Sequence, residues 1–310
     1  MIAFVDPGAR TTNLGDLVIS NSVRHELIDP IRAAGVEVVT VPLHGDLNAE
    51  QRTVLRSAQE VLVCGTNLLS DHAYFRSPWH WSRDDISLAT GKLTMFGVGW
   101  WQYQRTGIDL VTARWMRTLA SSAPWAVRDI YSARRLQRAG VAAVHLSCPT
   151  LWGIERQVLP SAGKSVVVTL TDYNQDPLAD ERLIRLLESM FSSISFWPQG
   201  PGDEAYLRSL RPNALVLEPT LEAFDAAMLA DASVSYIGLR LHAGVRAMQL
   251  GRASLPLSID NRAREISRSI GLVAPSRHDL RMLEELLLEG GAQVLSMPNA
   301  SIEAWRGRWV

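Results

Sequence analysis

The fold class this sequence predicts is α/β, with two Rossmann-like domains facing a cleft. Three observations carry the expectation. The chain has 310 residues, which suits two domains of ordinary size. Short apolar runs alternate with longer amphipathic stretches, the pattern of strands in a parallel sheet with helices on both faces. The alternation breaks once, at a segment carrying Pro149, Gly153, Pro160 and Gly163, and then starts again.

In the first half the apolar runs predict strands at Ile2–Val5, Val36–Val41, Val61–Cys64, Leu93–Val98, Ala126–Val127 and Ala142–Leu146. Helical periodicity predicts helices at Asp16–Leu27, Ala49–Gln59, Leu110–Leu119 and Tyr131–Ala139. Cys148–Lys164 reads as a linker, giving domains 1–155 and 156–310. The second half predicts strands at Ser165–Leu170, Ile194–Trp197, Ala214–Leu217, Ser233–Tyr236 and Ala253–Ile259. Its helices are expected at Asp180–Met190, Asp203–Ser209, Leu221–Leu229, Leu239–Gln249, Arg262–Ile270 and Asp279–Glu289.

Composition bounds the function. The chain is 47% hydrophobic and 20% charged, as a packed soluble protein is, and its net charge of -1 gives no basic field for nucleic acid. The start, Met1-Ile2-Ala3-Phe4-Val5-Asp6, lacks the pattern of a signal peptide, and no run is long and apolar enough to span a membrane, so a cytoplasmic location is expected. Cys64 and Cys148 form no CxxC pair and read as buried thiols. Of the 31 basic residues only Lys92 and Lys164 are lysine, so any anion site must be built mainly from arginine forks. His72 and His80 are not at metal-pair spacing; neither a metal nor a cofactor is expected.

Ligands of open α/β sheets bind beyond the carboxyl ends of the strands, so the loops after strands are where chemistry is sought. The first such loop leads through Asn13 and Gly15 to Asp16, where a helix start can hold an anion or a sugar hydroxyl and Asp16 can serve as a base. A plain capped turn is the alternative. A second loop carries Asn67. Aromatic residues gather at Tyr74–Tyr103; Trp79, Trp81, Trp100 and Trp101 are candidates for stacking a sugar ring, with core packing as the alternative. Arg128 and Asp129 end a short strand and either pair with each other or reach the cleft. The richest segment is Gly238-Leu239-Arg240-Leu241-His242-Ala243. It places an arginine fork and an imidazole at a helix start, against the alternative of a buried histidine and a surface arginine.

Asn13-Leu14-Gly15-Asp16, Val127-Arg128-Asp129 with Ser132, Gln199 with Asp203, and Gly238-Leu239-Arg240-Leu241-His242-Ala243 together resemble the polysaccharide pyruvyltransferase family, in order and in spacing. The resemblance implies a fold similar to the GT-B glycosyltransferases. It implies transfer of a pyruvyl group from phosphoenolpyruvate to two hydroxyls of a sugar, in a glycan or a lipid-linked saccharide, as a ketal. A lipid-linked acceptor would bring peripheral contact with a membrane. Carried onto this chain, the donor-binding segment is Arg240-Leu241-His242. To it the reading of the residues adds Arg128, Gln199 and Arg262 on the donor side, His242, Asp16 and Asp129 as candidates for handling protons, and Asn13, Gly15, Asn67 and the four tryptophans on the acceptor side. The sequence departs from the family in three places. No arginine stands in Val168-Thr169-Leu170-Thr171-Asp172. The glycine-rich turn is reduced to Cys64-Gly65-Thr66. Asp260-Asn261-Arg262 stands in place of a tyrosine and a lysine, with Arg262 or Arg264 as a substitute cation. The rival readings are a glycosyltransferase using a nucleotide sugar and a non-catalytic carbohydrate-binding relative.

Overall fold

A computed structural model describes residues 1–309 as an α/β protein in two compact units. One unit is Met1–Thr11, Ile19–Trp152 and Met297–Val310; the other is Thr12–Val18 and Gly153–Ser296. A single cut in the chain therefore yields neither.

The first unit is built on a parallel sheet of six strands: β1 (Ile2–Asp6), β2 (Val38–Pro42), β3 (Glu60–Cys64), β4 (Leu93–Val98), β5 (Trp125–Val127) and β6 (Ala143–His145), in the order β2-β1-β3-β4-β5-β6. The strands are largely apolar because both faces are covered. Alternate residues divide between two cores: Ala3, Val5, Val61 and Val63 join one, and Phe4, Leu62, Cys64 and Phe96 the other. The second core is closed by the helix Asn299–Arg306, whose Trp305 stacks on Phe96 with ring centroids 4.9 Å apart. The helix expected at Asp16–Leu27 runs as Leu14–Val23, widens into a π-helical turn at Arg24–Ile28 and continues through Asp29–Ala33. Pro30 has no N–H to offer the carbonyl four residues back, which accounts for the irregularity just before it.

The second unit holds β7 (Arg156–Leu159), β8 (Gly163–Thr169), β9 (Phe191–Phe196), β10 (Ser235–Gly238), β11 (Ser254–Pro256) and β12 (Gly291–Val294). Four of them form a parallel sheet ordered β11-β10-β8-β9, and β12 pairs antiparallel with β7. Here too the central strand divides: Val166 and Val168 enter one core and Val167 the other. Two expectations are corrected. The segment read as a linker contains β7. Ala214–Leu217 makes a single bridge, Val216 to Phe196, instead of a strand; Pro212 and Pro219 bracket it and shorten the run that can pair. Both cysteines are free and buried. Among the described residues no helix is long and apolar enough to cross a membrane.

Candidate active site

In the second unit the chain goes from β8 to β9 on one side and then to β10 on the other, so the order reverses between β8 and β10. That is the place where open α/β sheets bind ligands. The carboxyl ends of these two strands are locked together. The Thr169 hydroxyl lies 2.6 Å from the Tyr236 hydroxyl and accepts the Arg240 N–H at 3.1 Å. Tyr236 in turn donates to the Arg240 carbonyl at 2.8 Å. A Cβ at Gly238 would lie 2.3 Å from the Thr169 hydroxyl, so only glycine lets the strands approach. The lock fixes Arg240 at the N-cap of the helix Leu241–Gln249, with His242 buried in its first turn.

The Arg240 guanidinium is itself largely buried, and carboxylates hold it. Its Nε donates to Asp203 Oδ2 at 2.9 Å, and its Nη2 donates to Asp203 Oδ1 and, at 2.9 Å, to Asp172 Oδ1. Asp203 also accepts the backbone N–H groups of Asp172, Gln199 and Gly200. Nη1 of Arg240 has no hydrogen-bond partner among the described residues. Tyr173 lies between two cations, with Arg240 at 4.8 Å and Arg262 at 5.4 Å from its ring centroid. Arg262 donates to the Tyr173 hydroxyl and to Asp260 Oδ2 at 2.7 Å. Burial works against the Arg262 cation, yet Tyr173, Asp260 and Asp16 outweigh it and its pKa is raised. Burial pushes the Tyr173 phenol up as well, so it stays protonated at neutral pH.

The loop around Asn13 belongs to this same unit. Asn13 Oδ1 accepts from Gln199 Nε2 at 3.0 Å and from the Gly15 N–H at 3.1 Å, and the Leu14 N–H donates to the Gln199 carbonyl at 3.0 Å. A Cβ on Gly15 would lie 2.6 Å from Gln199 Nε2, which explains the glycine. Asn13, Gly15, Asp16, Gln199, Arg240 and Arg262 are thereby gathered, although the sequence divided them between an acceptor and a donor side.

The remaining expected residues lie in the first unit, most of them buried or hydrogen-bonded within it. Arg128 is buried; it donates through Nη2 to Asn67 Oδ1 and pairs through Nε with Asp129 at 3.4 Å. A Cβ on Gly99 would lie 2.3 Å from Arg128 Nε. Asp129, expected to act as a base, caps the helix Ile130–Arg138 by accepting the Ser132 N–H at 2.7 Å. The Ser132 hydroxyl accepts from the Trp100 N–H at 2.9 Å. Trp79, Trp81 and Trp100 are not presented for stacking: all three are in the core, each indole N–H taken by an internal acceptor. Trp101 is 52% exposed and alone of the four offers a face.

The family model for polysaccharide pyruvyl transferase matches residues 13–261. The chain belongs to this family. It is a transferase family acting on saccharides, and the matched stretch takes in Asn13, Gly15, Asp16, Gln199 and Arg240 and ends one residue before Arg262. No curated protein matches. Among solved structures, the wall teichoic acid polymerase TagF with CDPG is similar over 100% of this chain and 81% of its own, at 10% identity and a TM-score of 0.41.

In this chain Asp172 and Tyr173 also take part in the cluster. Residue type gave no warning of either. Their one signal is position, directly after β8.

Proposed function

We propose that this protein transfers the pyruvyl group of phosphoenolpyruvate to two hydroxyls of a sugar, in a glycan or a lipid-linked saccharide, as a cyclic ketal. The observation that supports this reading best is the pair of guanidiniums about Tyr173, with Arg240 Nη1 unpartnered, in a chain of this family. Phosphoenolpyruvate carries a phosphate and a carboxylate, and two arginines suit two anionic groups. Asp172, half-buried, is the partner that a donor anion would displace from Arg240; Asp203, fully buried, stays and keeps the fork oriented.

The reaction forms two C–O bonds at the donor's C2 and breaks its bond to the phosphate oxygen. One hydroxyl proton goes to C3, making the methyl group, and the other leaves with phosphate. Asp16, beside Arg262, is placed in this reading as the base for an attacking hydroxyl. His242 binds the anion or passes the proton. Donors preorganised around the developing charge lower the barrier further. Trp101 is retained as the acceptor-stacking ring.

Thermal melting with phosphoenolpyruvate, a nucleotide sugar and the free glycan tests the reading, since a ligand of the native state raises the melting temperature. Phosphoenolpyruvate is expected to raise it in the wild type and not in Arg262→Ala, and phosphate is expected to be released when an acceptor is added. Stabilisation by the nucleotide sugar alone would replace this reading with glycosyl transfer. Stabilisation by the glycan alone would leave a binding protein.

A further inference from the structure

The first unit contains a pocket of about 430 Å³ in which Arg105, Arg117, Arg135 and Arg138 meet, with Ile108 and Leu110 on its apolar side and no carboxylate in its lining. It runs between the helices Leu110–Leu119 and Ile130–Arg138. Its size is that of a small-molecule site. We propose that this pocket binds a phosphate or diphosphate group, as a second anion site independent of the cluster around Arg240.

Charge is the main argument. Several surface arginines elsewhere are matched with acids: Arg185 with Glu181, Arg208 with Glu204, Arg211 with Glu181 and Glu188, Arg246 with Asp225 and Arg281 with Glu285. In the pocket only Arg135 has such a partner, Asp71. The nearby Asp109 is committed to capping its helix and to His72. Arg105 and Arg138 have no ion-pair or hydrogen-bond partner among the described residues. Four guanidiniums about one cavity repel one another, and one carboxylate leaves three charges unmatched until an anion enters.

The second argument is preorganisation. Arg135 is fixed from several sides: Nη1 donates to the Tyr131 hydroxyl at 3.0 Å and to the Gln104 carbonyl at 3.3 Å, Nη2 donates to Asp71 and to the Thr106 carbonyl, and the guanidinium lies 5.2 Å from the ring centroids of both Trp100 and Tyr131. Its Nε is buried with no hydrogen-bond partner. Arg117 donates through Nη1 to the Ala139 carbonyl at 2.6 Å, which ties the ends of the two helices together and leaves its other N–H groups for a ligand. Forks held in this way lose little freedom when an oxyanion arrives, and arginine matches phosphate geometry.

The test is calorimetric titration of the full chain with inorganic pyrophosphate, beside cosedimentation with vesicles containing phosphatidic acid. Arg105→Ala and Arg138→Ala are suitable variants because neither side chain supports the fold through a partner. Saturable binding is expected, weakened about tenfold by each substitution. Arg114→Ala and Arg134→Ala, which remove the same charge from the two helices that flank the pocket without lining it, should leave it unchanged. Binding of pyrophosphate alone would mark the ligand as a free phosphate compound. Vesicle binding that is lost in the same two variants would mark it as a lipid headgroup. No saturable binding of either probe, or equal weakening by the control variants, would overturn the proposal.

Discussion

Replacing Asp203 by asparagine should destabilise the second unit nearly as much as deleting the side chain, although the two residues have the same shape. Asp203 receives five donors. Oδ2 takes Arg240 Nε at 2.9 Å and the N–H groups of Gln199 at 3.0 Å and Gly200 at 2.8 Å; Oδ1 takes the Asp172 N–H at 2.9 Å and Arg240 Nη2. An asparagine can turn its oxygen toward only one of these sets, and its amino group then points at at least two donors. The Arg240 cation is meanwhile left buried with Asp172 as its one carboxylate. Breaking a buried ion pair by neutralising one partner costs about 3–5 kcal/mol, a large share of the roughly 5–15 kcal/mol that holds a domain together. Urea denaturation of Asp203→Asn and Asp203→Ala should therefore show similar large losses. Adding Arg240→Met to Asp203→Asn should cost little more, because the orphaned charge has gone. An Asp203→Asn protein within about 1 kcal/mol of wild type would refute the reasoning and show that water or another group satisfies Arg240.

Other expectations follow from the same geometry. Trp100→Ala should cost about 3–5 kcal/mol, because the ring is wholly buried, whereas Trp101→Ala should stay within about 0.5 kcal/mol; denaturant midpoints distinguish them. Gly238→Ala should lower stability by about 1–3 kcal/mol or more in a thermal melt, since its Cβ would meet the Thr169 backbone N at 2.6 Å. His145 gives a pH dependence: burial lowers its pKa, so below about 6.5 the unfolded chain takes up a proton that the folded one resists, and stability falls with pH in that window. Wild type should lose more stability than His145→Gln between about pH 7.5 and 5.5; parallel losses would remove His145 as the cause.

The parallel strands were legible because burial on both faces demands mostly apolar runs, as in Ile2–Asp6 and Leu93–Val98. β7 was not, because its inward residue is polar. Gln157 is fully buried and satisfied by the Val273 N–H and by the carbonyls of Val273 and Ser254, contacts more than ninety residues away along the chain that no local pattern can announce. β12, exposed along its length, offers no alternation. At the site, strand-end position singled out Arg240 and Asn13, and the family resemblance added Gln199. It could not show that Arg240 is already held by Asp203 and Asp172, because carboxylates brought from other loops carry no signature of their target. Tryptophan clustering suggested stacking at Trp79, Trp81 and Trp100. Composition cannot separate a ring that faces solvent from one that fills a core.

The interleaving of the two units has a consequence for synthesis. As the chain leaves the ribosome, the six-stranded sheet is complete by residue 152, yet the face around Phe96 waits for Trp305, made much later. The second sheet, for its part, must find Asn13 and Asp16, made before any of its own strands. Neither unit can therefore mature as a finished cassette while the other is still being translated. Fragments cut at the apparent midpoint would each carry an open wound: bare aromatic surface on one, and on the other a Gln199 side chain without Asn13 and an Arg262 without Asp16.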